Sequence, residues 1–543
     1  MRAVTHATWP ALAAALTLAL TACAGGGSDS SAEGGDAVLS AVWGDPQNPL
    51  EPANTNEVQG GKVLGMIFRG LKRYDPMTGK AQNAVAEDIT TTDSQNFTVR
   101  IKKGWKFSNG EPVTAHSFVD AWNYGASAKN NQKNAYFFGY IDGYDKVHPD
   151  SGKQTADTLS GLKIVDDHTF TVRLSQKFST FPDTLGYVAF APLPKAFFDD
   201  HDAWLNKPVG NGPYSIESYK RGSEMRLRTW DAYPGRDKAH NGGVDLKVYT
   251  DNNTAYTDLL AGNLDVVDDV PAQQLKNVGT DLAGRYLNTP AGLIQTLSFP
   301  FYDKDWNTAG AAKIRKGLSM AINRDQITKT IFQNTRTPAT DWTSPVLGEE
   351  GGYKKGLCGD ACTYDPAGAR KLIEEGGGIP GGQIKITYNA DTGSHREWVD
   401  AVCNSINNAL GNDKACAGNP VGTFADFRNL VGQNKLTGPF RTGWQMDYPL
   451  VQNFLQPLYY TGAPSNDGKW SNRDFDQLVD RANAETDPKK AVQLFQQAEG
   501  VLRDDMGTVP LWYQNGSAGW SERLSHVTLD AFSVPVYDEI KVG

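Results

Sequence analysis

The chain has 543 residues, with 53 Lys+Arg against 62 Asp+Glu for a net charge of −9, and 39% hydrophobic residues. That length exceeds what a single hydrophobic core holds, so two or three lobes are expected. No basic run or stripe occurs, which argues against nucleic acid or an anionic membrane surface as partner. The 13 Trp, 21 Tyr and 22 Phe supply rings for cores and for a ligand cleft alike.

The N-terminus carries one basic residue, Arg2, then the apolar run ALAAALTLALTA ahead of Cys23. A run of about a dozen apolar residues ending in small ones describes a signal peptide over residues 1–22. A spanning helix needs roughly 20. Leu20-Thr21-Ala22-Cys23 resembles the bacterial lipobox, which makes Cys23 the expected lipidation site. Residues 23–36 are small and polar and read as a flexible tether.

Five cysteines are an odd number, and Cys23 accounts for the odd one. Cys358, Cys362, Cys403 and Cys416 should then form two disulfides in an oxidising compartment. Among the three connectivities, Cys358–Cys362 and Cys403–Cys416 are favoured, because each pair is close in sequence. The spacings match no common zinc pattern, and no metal or cofactor is expected.

Short strands and helices alternate along the rest, a mixed α/β pattern. Residues 37–43 read as a first strand and 59–71 as a helix, with apolar residues at Val63, Leu64, Ile67, Phe68 and Leu71. Residues 97–102 alternate as a half-buried strand, Asn109-Gly110 signals a tight turn, and Thr114 caps a helix from Ala115 to about Gly125. Strands are expected at 169–174, 214–219, 225–229, 244–249 and 264–267, with a helix over 252–261 closed by Gly262. A helical unit spans 311–331, two helices cover 474–485 and 488–504, and Val509–Tyr513 reads as a strand. The eight histidines form no HExxH pair, and there is no Gly-x-Ser-x-Gly elbow or Walker-type loop, so a non-enzyme is expected.

Four segments together carry a resemblance. They are FTVRIKKGWKFSNGEPVTAHSFVDAW at 97–122, GNGPY at 210–214, LLAGNLD at 259–265 and RTGWQMDY at 441–448. In this order the chain resembles the family 5 extracellular solute-binding proteins, the oligopeptide- and dipeptide-binding group. The resemblance implies an α/β, two-lobed periplasmic-binding-protein fold (type II, cluster C) with an extra subdomain in the first lobe. Mapped here, the first lobe takes residues 37–70, 197–292 and 506–543, the subdomain 71–196, and the second lobe 293–505. It also implies a monomeric, lipid-anchored protein on the extracytoplasmic face of the cell membrane, passing short peptides to the permease of an ABC transporter.

A general peptide carrier must grip what all peptides share, which is the amine, the main chain and the carboxylate. Strand addition satisfies the main chain, and a desolvated ammonium needs a fixed carboxylate. By its place in RTGWQMDY, Asp447 is the candidate for that carboxylate. The resemblance gives Gly443 and Trp444 the peptide main chain. Arg441 would meet a peptide carboxylate, to which guanidinium is suited, although a strand-edge arginine is an equal alternative. Val58 falls near the first-lobe segment that pairs with the ligand, and Tyr136 is a candidate cleft aromatic; Trp512 and Tyr513 fit either cleft or core. Other ligands remain open within the fold: an oligosaccharide, which has no ammonium for Asp447, a metal chelate, or a signalling peptide.

Overall fold

In the computed structural model the described residues are 36–543, apart from 47, 150, 250, 309, 391–394, 423 and 464. The expected signal peptide, Cys23 and the tether up to residue 35 lie outside them.

Two strands of 13 residues, Tyr286–Ser298 and Thr508–Trp520, organise the molecule. They pair antiparallel from Tyr286 opposite Gly519 to Ser298 opposite Thr508, with a register shift between Pro290 and Leu293. On one side of that irregularity the Thr508–Trp520 strand meets Val266–Val267, and the sheet continues through Val38–Trp43, Gly243–Val248, Glu224–Thr229 and Tyr214–Lys220. On the other side Tyr286–Ser298 meets Phe440–Gln445, followed by Ile384–Asn389 and Cys416–Val421. A bulge adds an unpaired residue and bends the ladder. The pair of long strands therefore carries one sheet through two separate hydrophobic cores.

The cores divide as the sheet does. One gathers residues from Leu39 to Val266 with Leu524–Val542, around Trp43, Trp122 and Tyr214. The other runs from Ile294 to Tyr513, around Trp306, Trp342, Trp398, Trp470 and Trp512. Trp512 and Tyr513 are 0% and 1% exposed, so both belong to this second core rather than to a cleft.

Local sequence explains the elements around the first core. Asn96–Ile101 alternates outward and inward, as its pattern requires, in a four-stranded sheet with Ala86–Thr91, Thr169–Arg173 and Leu162–Asp166. The helix Ala115–Ala126 begins where Thr114 N–H donates to Ser117 Oγ. The turn Gly210-Asn211-Gly212 lies against the end of the helix Val58–Ile67. A Cβ on Gly210 would come within 1.9 Å of the Ile67 carbonyl, and Asn211 exchanges hydrogen bonds with the main chain of Arg69. Only glycine allows that approach.

Several expectations are adjusted. The first helix stops at Ile67, short of Leu71, because Phe68 turns extended. The unit at 311–331 is two helices, Ala311–Met320 and Arg324–Thr330, the second capped by Asn323. The strand expected over 509–513 is part of the long Thr508–Trp520 strand. Cys358 bonds Cys362 and Cys403 bonds Cys416, the second bridge joining the helix His395–Leu410 to the strand Cys416–Val421.

The second core also encloses two acids, Asp341 and Glu499, both 0% exposed. The two carboxyls interact with each other, and burial pushes both upward, Glu499 well above its ordinary value. An acid whose affinity for protons rises on folding contributes stability at low pH and loses it as pH climbs through its folded value. Glu499→Gln keeps a donor for Asp341 but cannot ionise. Its melting temperature should therefore fall less between pH 6 and pH 9 than that of the parent; an equal alkaline loss in both would show that the pair holds no shared proton.

Candidate functional site

A cavity of about 620 Å³ is lined by residues of both halves. One wall is the start of the first helix, Thr55–Val58, with Lys62, Tyr74 and Gly186–Val188. The other is Gln445–Asp447, and the turn Asp530–Phe532 lies at its edge. The halves are in contact around it. Gln445 Nε2 donates to the Phe532 carbonyl (3.2 Å), Gln452 Nε2 to Tyr140 Oη (3.2 Å), and Ser179 N–H to the Asn483 carbonyl (2.8 Å). Tyr448 is buried in the first core, with Leu450 packed against it, although Met446 and Val451 pack in the second.

Asp447 follows the end of the strand Phe440–Gln445 and is held by the side chain of Asn453. Its N–H donates to Asn453 Oδ1 (2.8 Å), and Asn453 Nδ2 donates to Asp447 Oδ2 (3.0 Å). Burial pushes the Asp447 carboxyl up to about 7, opposed by the hydrogen bond from Asn453. Among the described residues no lysine, arginine or histidine forms an ion pair with it. Four phenols surround it electrostatically. Burial raises Tyr74, Tyr136, Tyr187 and Tyr448, and the Asp447 charge adds to each. A desolvated carboxyl without a counterion is costly, and such groups cluster where ligands bind.

The strand leading to Asp447 has an open edge. Even-numbered residues face the Tyr286–Ser298 strand, as the bond from Met446 N–H to the Gly292 carbonyl indicates. Alternation turns the N–H and C=O of Gly443 and Gln445 the other way. On that side the strand Ile384–Asn389 pairs only at Phe440, opposite Thr387, so no described strand lies beside Gly443 or Gln445. Gly443 is exposed.

The remaining candidates are placed differently. Trp444 donates its indole N–H to Asn453 Oδ1 (3.0 Å) and, with Gly443 and Arg441, lines a separate cavity of about 220 Å³ in the second half. Arg441 Nε donates to Asn389 Oδ1 (2.8 Å), and its guanidinium lies 5.0 and 5.2 Å from the rings of Phe424 and Phe427. Val58 lines the larger cavity, 45% exposed, but opens a helix instead of lying in a strand. Its N–H is among the first-turn donors that a helix leaves unbonded. Tyr136 does not line that cavity, yet its phenol feels the Asp447 charge; it stacks at 4.3 Å on Phe137, which meets Tyr187 at 4.3 Å. Sequence reasoning missed Tyr74, Tyr187, Phe532 and Asn453. The first three come from distant segments with no shared spacing, and Asn453 alone had a local signal, as an amide six residues beyond Asp447 on an apolar helix.

Comparison with known proteins agrees with this architecture. The profile of the bacterial extracellular solute-binding proteins, family 5, matches residues 80–466. The oligopeptide-binding protein OppA of Bacillus subtilis is 27% identical over 94% of this chain and 95% of its own length. The dipeptide-binding protein DppE of the same organism is 26% identical, over 83% of this chain and 82% of its own. Among solved structures, the Escherichia coli murein tripeptide binding protein MppA superposes with a TM-score of 0.78 at 21% identity, over 93% of this chain and 98% of that one. The chain has the two-lobed periplasmic-binding-protein fold and belongs to the bacterial extracellular solute-binding proteins, family 5.

Proposed function

We propose that this protein captures short peptides between its two lobes and delivers them to the permease of an ABC importer, acting as a carrier and not as a catalyst. The observation that carries the reading is the desolvated Asp447, which lines the cavity and forms no ion pair among the described residues, while Lys62, Arg69, Lys72, Arg73, Arg236 and Lys238 line the same cavity elsewhere. A peptide amine supplies the missing charge, and the unpaired edge at Gly443 and Gln445 accepts the peptide main chain as an added strand. The names of the relatives, oligopeptide-binding and dipeptide-binding, support the same ligand class. An oligosaccharide would leave Asp447 without a partner, which disfavours it. Arg441, already bonded to Asn389, would serve a peptide carboxylate only by leaving that contact. Within this reading residues 37–70, 197–292 and 506–543 form the first lobe, 71–196 its subdomain and 293–505 the second lobe.

Location follows from the N-terminus. Processing before Cys23 and its acylation would hold a monomeric carrier on the outer face of the cell membrane by a short tether, in reach of its permease. Cys23→Ser should move the protein from the membrane fraction to the medium or periplasm; full membrane retention would remove the anchor from the account.

Losing one partner of an enclosed charge pair costs about 2–5 kcal/mol. Asp447→Asn should thus weaken a free-amine tripeptide by roughly thirty-fold to several thousand-fold, and the N-acetylated tripeptide should bind the parent as poorly as the free one binds the variant. Equal affinities of the parent for the two peptides, by calorimetry, would take Asp447 out of the site.

The pH dependence has a definite sign. Below about 7 the carboxyl of the ligand-free protein holds a proton, which an incoming ammonium must displace. Affinity should fall by about tenfold per unit as pH drops below 7. It should also fall above about 8, where the peptide amine loses its own charge. A dissociation constant that is the same at pH 5.5 and 7.5 would contradict the assignment.

A further inference from the structure

We infer that Asn453 is a positioning residue that holds the Asp447 carboxylate and the Trp444 indole as a single unit. The functional meaning of that unit rests on the proposed amine site, but the geometry stands by itself.

Asn453 is 1% exposed, in the first turn of the helix Val451–Tyr459. Its Oδ1 accepts two donors, the Asp447 N–H (2.8 Å) and the Trp444 indole (3.0 Å), while its Nδ2 donates to Asp447 Oδ2 (3.0 Å). The sheet ladder does not fix Asp447, because pairing with the long strand ends at Gln445 and the Met446 bond to Gly292 is the last main-chain tie. Beyond that point a helix residue takes over. An amide meets the requirement at this place, accepting at Oδ1 and donating at Nδ2. A carboxylate accepts but does not donate, and an apolar side chain does neither.

The arrangement has two consequences. The donated N–H favours the ionised form of Asp447 against burial. The shared Oδ1 joins the amine-facing carboxylate to the ring beside Gly443, so the charge site and the open strand edge keep one spacing. A ligand that moved the indole would move the carboxylate with it.

The test is the titration of Asp447 in the full-length, ligand-free protein, followed by its carboxyl ¹³C resonance and assigned by its loss in Asp447→Asn. In Asn453→Leu the midpoint should rise by about one unit or more, a roughly tenfold or larger gain in proton affinity, and the Trp444 indole N–H resonance should shift. Asn453→Asp retains both acceptor contacts and removes the permanent donor. Its coupled carboxyls should lose their last proton above the parent midpoint while the indole resonance stays close to that of the parent. Should the leucine variant not fold, the aspartate variant decides. A midpoint unchanged from the parent in a folded variant would overturn the inference and leave Asn453 a packing residue. Binding of tri-alanine and its N-acetyl form to the parent judges the amine site separately: equal binding sinks that reading without touching the titration.

Discussion

The proposed site turns on one electrostatic imbalance, a largely buried carboxyl on a cavity that both halves line, with which no lysine, arginine or histidine among the described residues forms an ion pair. Several other buried charges of the fold are paired with opposite ones. Lys62 meets Asp268, Arg69 meets Asp237 and Asp538, and Arg315 meets Asp505. Asp447 receives one amide hydrogen bond and a ring of phenols instead. Such a group persists because the surrounding structure over-determines it, and in the proposed function a ligand ammonium would relieve it.

In the proposed function, opening and closing of the cleft would act through this scaffold. Two long strands run through both cores, and their register shift between Pro290 and Leu293 falls where one sheet half gives way to the other. Among the described residues the halves meet through polar contacts, Gln445 with Phe532, Gln452 with Tyr140, Ser179 with Asn483 and Lys80 with Glu350, and through Tyr448, which is buried in the first core. Interfaces of this kind between parts of a chain are weak enough to permit relative movement. The bound charge would then contribute to keeping the lobes together, which couples the proposed capture to closure.

Much of the fold was legible in the sequence because local chemistry dictated it. Asn96–Ile101 alternates strictly, Thr114 begins a helix, and Gly210 and Gly212 must let a main chain pass close by. The long Tyr286–Ser298 strand was not legible. It contains Asn288, Pro290 and Gly292, which break a strand pattern, and tertiary pairing with Thr508–Trp520 overrides that preference. The strand Phe440–Gln445 was visible only as a motif, since its edge matters more than its side chains. Of the site, Asp447 could be singled out by the residues around it, whereas Tyr74, Tyr187 and Phe532 converge from three distant segments. Nothing in their spacing brings them together; only folding does. Val58 was expected beside a ligand main chain, and it lines the cavity from a helix start because Glu57 caps Gln59 and Gly60.

The most direct test of the central claim is the number of protons exchanged when a free-amine tripeptide binds, obtained from the binding enthalpy in buffers of different ionisation enthalpy at pH 6. With the Asp447 carboxyl near 7 in the empty site and ionised once paired with an ammonium, close to one proton should leave per peptide bound, and none in Asp447→Asn. Binding with no proton release by the parent protein would mean that this carboxyl does not meet the ligand's charge.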